Sequence, residues 1–221
     1  MIADALVLAR TNLLLEVRRR EVVLGMLQFV VATLVIVHFA LGGDRASDPR
    51  AAAGMLWVVI VLTAVLALNR TFAADTEESA LDALLLAPVD RAAIWLGKVL
   101  AQLAFLAVVE LFAAPLFWVF FLDEADADPL PIVAAIALAD IGLASVGVVV
   151  AALAQATRTR EVLLPVLFLP LAIPLVIGAV TATLAAVDGD AGTLRPLGFL
   201  ALYGTFFAVL AWGVFDHLVS E

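Results

Sequence analysis

The sequence predicts an all-α membrane protein with six transmembrane helices, and three observations carry that prediction. Six long apolar runs take up most of the 221 residues. Hydrophobic residues make up 65% of the chain and the mean hydropathy is +1.16, more apolar surface than a soluble core of this size can bury. Four of the six runs contain no Asp, Glu, Lys or Arg. Two further helices are expected: an N-terminal interfacial helix, and a cytoplasmic helix between spans 2 and 3.

The runs cover residues 22–41, 51–68, 99–122, 132–154, 162–187 and 197–215. Each matches or approaches the roughly 20 residues that an α-helix needs to cross about 30 Å of hydrocarbon. Taking the third helix from 94 and the sixth from 196, the spans are approximately 22–41, 51–68, 94–122, 132–154, 162–187 and 196–215. The first run follows Arg18, Arg19 and Arg20 without a small-residue cleavage pattern, and is read as a retained span rather than a signal peptide. The chain has no cysteine, which excludes disulfides, thiolate metal sites and cysteine nucleophiles.

Basic residues orient the chain. With a cytoplasmic N-terminus, the inner segments hold Arg10, Arg18, Arg19, Arg20, Arg70, Arg91, Lys98, Arg158 and Arg160, and the outer loops hold only Arg45, Arg50 and Arg195. That asymmetry places both termini in the cytoplasm and the protein in the cytoplasmic membrane as a multi-pass component. The outer loops are acidic and the formal net charge is -9, which disfavours nucleic acid as a partner.

The N-terminal segment sets Ile2, Leu6, Ala9, Leu13 and Val17 at helical spacing ahead of the arginine cluster. That stripe favours a helix lying along the inner surface as an elbow; the competing reading is a plain extension of the first span. Residues 69–98 are longer than a turn between neighbouring helices requires. Asp75 followed by Glu78 fits a capping box, after which Leu81, Leu84 and Leu85 form an apolar stripe with Glu77, Glu78 and Asp82 turned away. Pro88 ends this helix, and Asp90 is placed to cap the next one, which carries Arg91 and Lys98 towards the membrane. Such a helix suits the groove of a soluble partner, or packs on its own bundle.

The stretch with Phe72, Glu77, the string Leu84-Leu85-Leu86-Ala87-Pro88-Val89-Asp90-Arg91, Gly97-Lys98, Glu110 and Pro115 resembles the signature region of the CcmB family. Thr157-Arg158-Thr159-Arg160-Glu161-Val162-Leu163-Leu164-Pro165, followed by Pro170 and Pro174, is similar to that family's segment between the fourth and fifth spans. Length, six spans and the terminal Phe215-Asp216-His217 also match. The family comprises membrane subunits of the ABC transporter-like machinery of cytochrome c maturation, often labelled haem exporter protein B. The resemblance implies a single transmembrane permease domain over residues 1–221, of the ABC-2 type. It also implies a homodimer with a second copy, a separate cytoplasmic ABC ATPase, and a haem-handling membrane protein as partners in the lipid bilayer.

By the same resemblance, Phe72, Asp75, Glu77, Glu78, Leu81, Leu84, Leu85, Pro88 and Arg91 would contact the ATPase, and the helix they lie on would be the coupling helix. The family's more common Arg-Glu or Asp-Gly before that helix is replaced here by Asp75-Thr76-Glu77-Glu78-Ser79-Ala80, so its start differs in detail. No cofactor is expected on this chain alone; haem enters as cargo or through a partner.

Glu110 in the third span and Asp140 in the fourth are the two carboxylates in the hydrocarbon region, and Lys98 adds a cation at the start of the third. A charge at the centre of a span costs about 2.5–3.5 kcal/mol on insertion scales, so each carboxylate faces the bundle interior, a partner or water, or else is protonated. They are functional positions or interhelical hydrogen-bonding groups. Pro165, Pro170 and Pro174 in the fifth span are hinge candidates or static bends. Gly142, Ala144, Ser145 and Gly147 permit close packing in the fourth span, with a dimer interface as one use.

The chain has two histidines, and His38 near the outer end of the first span is a weak candidate as a haem ligand. Gly97-Lys98 is no phosphate loop, because Ala92 stands where the first glycine is needed and Val99 where Ser or Thr is needed. HExxH and G-x-S-x-G motifs are also absent, so no enzyme is expected and no metal site. Three functions compete: a permease subunit for cytochrome c maturation, an ABC-2 permease exporting a lipid, polysaccharide or drug, and an intramembrane enzyme using Glu110 and Asp140 as an acid pair.

Overall fold

In hydrocarbon the backbone must satisfy its own hydrogen bonds, and each apolar run has done so as a helix. The computed structural model describes residues 2–18, 20–41, 49–71, 90–122, 128–155, 159–189 and 191–218. Seven α-helices follow in order: α1 Ile2–Arg18, α2 Arg20–Leu41, α3 Pro49–Thr71, α4 Arg91–Phe117, α5 Pro129–Gln155, α6 Arg160–Val187 and α7 Leu194–Leu218. A π turn, Trp118–Leu122, extends α4, and a 3-10 turn, Ala191–Thr193, precedes α7. Six of the helices, α2 to α7, are long and apolar enough to cross a membrane. The expected helix between spans 2 and 3 lies in residues 72–89, outside the described residues; so do Phe72, Asp75, Glu77, Glu78, Leu81, Leu84, Leu85 and Pro88.

Local chemistry marks the ends. Asp90 caps α4 as expected, its Oδ1 accepting from Ala92 N at 3.1 Å. Asp128 does the same for α5, accepting from Leu130 N at 3.0 Å with Pro129 in the first helical position. At the end of α6, Asp188 N donates to Leu184 O at 2.9 Å and Gly189 takes φ 65°, a conformation a residue without Cβ adopts freely. Pro115 deprives Leu111 O of its helical donor, and the π turn follows within one turn of helix.

The bundle is built round α3 and α5. Of the residues in the two spans, 67% and 72% respectively are buried, against 17% in α2 and in α7. Small residues make this possible: a Cβ on Gly142 would meet the Leu175 side chain of α6 at 2.7 Å and Gly204 Cα of α7 at 3.4 Å, and one on Gly147 would run into Leu68 of α3. Ala144 and Ser145 are also buried. The small stripe of α5 is thus consumed inside the chain's own bundle, and no dimer contact is needed to explain it. Buried Trp57 of α3 donates through Nε1 to Thr183 Oγ1 of α6 at 3.0 Å, and Thr183 in turn donates to Ala179 O at 2.9 Å.

α1 is an elbow. Leu8 meets α4 at Gly97, while Val30 of α2 shares a small space with Leu106 and Val109. A straight helix would put about 33 Å between Leu8 and Val30, yet the places they meet on α4 are only about 18 Å apart. The chain therefore folds between α1 and α2. The buried face shares Ala9 with the expected stripe, but takes in Ala5, whereas Leu6 is exposed. Gly97 lets the α1 backbone approach α4 closely: a Cβ there would meet Leu8 Cβ, Ala5 O and Ala9 N.

α6 runs unbroken from Arg160 to Val187 through Pro165, Pro170 and Pro174. The three rings leave Glu161 O, Val166 O and Pro170 O without their helical donors. Across the groove, Tyr203 of α7 donates to Leu171 O at 3.0 Å, bracing the turn that Pro174 disturbs.

Candidate functional site

Polar residues along α4 form two clusters. The first lies at its start, where Lys98 is 2% exposed and donates from Nζ to Thr71 O at 3.0 Å. Thr71 is the last described residue of α3, and a cation is favourable at the negative C-terminal end of a helix. Thr71 Oγ1 lies 3.3 Å from both Ala67 O and Gln102 Oε1, with one proton to offer. Gln102 is buried, with its Nε2 left without a partner. Half-buried Arg91 begins the same helix, directly after the Asp90 cap.

Thr71 and Asp90 flank residues 72–89, the stretch in which the coupling helix was expected. The Lys98 bond pins the end of α3 to α4, the Asp90 cap secures the start of α4, and α1 packs on Gly97 between them. Sequence alone offered Lys98 as a buried charge but not its acceptor, since a helix-terminal carbonyl leaves no mark in residue type.

The second cluster is at mid-helix. Glu110 of α4 and Asp140 of α5 have their carboxyl groups within hydrogen-bonding reach of each other, so the structure brings together the two acids that the sequence singled out. Asp140 is 4% exposed. Glu110 borders a space of about 10 Å³ lined otherwise by Val30, Val59, Ile60, Thr63, Leu106, Val109 and Ala113. That holds one water at most.

His38 lies apart from both clusters. Its ring stacks against Phe120 of the π turn at 5.0 Å between centroids and meets Phe39 and Phe121 edge-on at 5.6 and 5.7 Å. Nδ1 is buried without a partner. Among the described residues no group of three or more His, Cys, Asp or Glu is placed to hold a metal ion.

An all-helical bundle of six long apolar spans with a packed interior defines a polytopic integral membrane protein. Within that class the family model described as CcmB protein matches residues 3–214, and the chain belongs to that family. It is 33% identical over 175 residues to Heme exporter protein B of Rhodobacter capsulatus, covering 79% of each chain. Heme exporter protein B of Paracoccus denitrificans is 32% identical over 176 residues, again 79% of each. That of Pseudomonas aeruginosa is 31% identical over 212 residues, 94% of each.

Proposed function

We infer that this chain is the membrane permease subunit of an ABC transporter complex serving haem handling in cytochrome c maturation. The observation that carries the reading is the match to proteins called Heme exporter protein B over nearly the whole chain, in one case 94% of both partners. A six-span bundle with no nucleotide-binding motif needs an external source of work, which a separate cytoplasmic ATPase supplies. Residues 75–91 are the segment we assign to that ATPase, and the pinned mounting of Thr71 and Asp90 supports the assignment. In this reading the chain works as a homodimer beside a haem-handling membrane protein, and both termini are cytoplasmic.

The test is in-gel staining of covalently bound haem in membranes of a strain lacking this gene, with and without the gene restored on a plasmid. Loss of all c-type cytochromes, recovered with the plasmid, is the expected result. An unchanged haem pattern would leave the architecture standing and transfer the cargo to a lipid, polysaccharide or drug.

A further inference from the structure

Glu110 and Asp140 meet in the interior of the bundle, on neighbouring helices α4 and α5. An ionised carboxylate only accepts hydrogen bonds. Two of them at this separation leave each other's oxygens without a donor, and Glu110 Oε1 and Asp140 Oδ1 are both buried with none. Asp140 is 96% shielded from solvent and Glu110 is half-buried.

Among the described residues, the helices packed round the pair offer no cation at its level. α2 contributes Val30 and α3 contributes Val59, Ile60 and Thr63 to the adjoining space. The Thr63 hydroxyl proton is committed to Val59 O at 2.8 Å, so that group is an acceptor too. Lys98 lies twelve residues back along α4, about 18 Å away, and donates to Thr71 O. Arg50 and Arg70 stand at the two ends of α3, Asp128 precedes α5, Glu161 is in the first turn of α6 and Arg195 in that of α7. Of the other titratable side chains, His38 is eight residues beyond Val30, about 12 Å along α2, and Tyr203 of α7 is bonded to Leu171 O.

The geometry points to a buried one-proton site: Glu110 and Asp140 share a single proton as an O–H···O bond between a carboxyl and a carboxylate, and that bond latches α4 to α5. A metal ion is the wrong occupant, because about 10 Å³ has no room for a cation with the six or more oxygen ligands that hard cations take. The proton gives every orphaned oxygen a partner and leaves the pair with one negative charge. Its removal puts two like charges a hydrogen bond apart and drives the helices apart.

The test is infrared spectroscopy of the full chain in phosphatidylcholine nanodiscs at neutral pH, reading the C=O stretch of a protonated carboxyl. The wild type should show that band, and difference spectra against Glu110→Gln and Asp140→Asn should show its loss in each variant. Either amide donates in place of the shared proton and leaves the remaining carboxyl ionised. A band retained in either variant would mean two separately protonated acids and would overturn the shared site. The wild type is decisive alone if a variant does not fold: no protonated-carboxyl band at neutral pH would overturn the proposal.

Discussion

Lys98 Nζ donates to Thr71 O at 3.0 Å, so the only lysine of the chain closes the end of α3 against the second turn of α4. A hydrogen bond to a charged group is worth about 1.5–3 kcal/mol, and this one spans a loop rather than a helix turn. Its loss should act locally, by letting the end of α3 open.

Lys98→Met should therefore speed tryptic cleavage after Arg70 by about tenfold or more, since about 1.4 kcal/mol changes an opening equilibrium tenfold. Arg70 is exposed and adjoins Thr71, so the cut reports directly on that end. Cleavage at the wild-type rate in detergent-solubilised protein would show that the bond does not hold α3.

The elbow depends on Gly97. A Cβ there meets Leu8 Cβ at 2.8 Å and Ala5 O at 3.1 Å, a backbone contact that no rotamer change relieves. Gly97→Ala should cost about 1–3 kcal/mol in thermal unfolding, the usual range for overpacking. Gly25→Ala on α2, where nothing lies within 4 Å, should be neutral or stabilising by up to about 1 kcal/mol through helix propensity. Equal effects at the two sites would remove Gly97 from the α1–α4 contact.

Thr183→Val keeps shape but takes away the acceptor of the buried Trp57 indole. An orphaned N–H costs about 1–3 kcal/mol, so the variant should unfold at lower temperature. Thr183→Ser restores the oxygen and should recover most of the loss. Indistinguishable melting of the two variants would make the bond irrelevant to stability.

Placing charges on the apolar stripe proposed for the ATPase, with Leu81→Glu and Leu85→Glu together, should abolish co-purification of the ATPase subunit while leaving the permease in the membrane. Undiminished co-purification would move the docking surface elsewhere.

Much of this architecture is legible in residue order. The six spans fall where the apolar runs do, because transfer into hydrocarbon is a sum over local composition. Asp90 could be read as a cap from its position after Pro88; Asp128 carried the same signal, Asp before Pro129, and went unread. On α1 the stripe residue Ala9 is buried, but Leu6 is exposed and Ala5 buried instead, a rotation about the helix axis that hydrophobic spacing alone does not resolve.

The sequence by itself determined that the chain spans a membrane six times, which residues interrupt the spans with charge or proline, and which family it belongs to. Only the tertiary structure decided that Glu110 faces Asp140, that Lys98 closes on Thr71, and that the small residues of α5 are used up within one chain. Insertion depends on how apolar a stretch is, a property each segment carries alone. The rotation of a helix about its axis depends on partners far away in the chain, and close packing between them sets it.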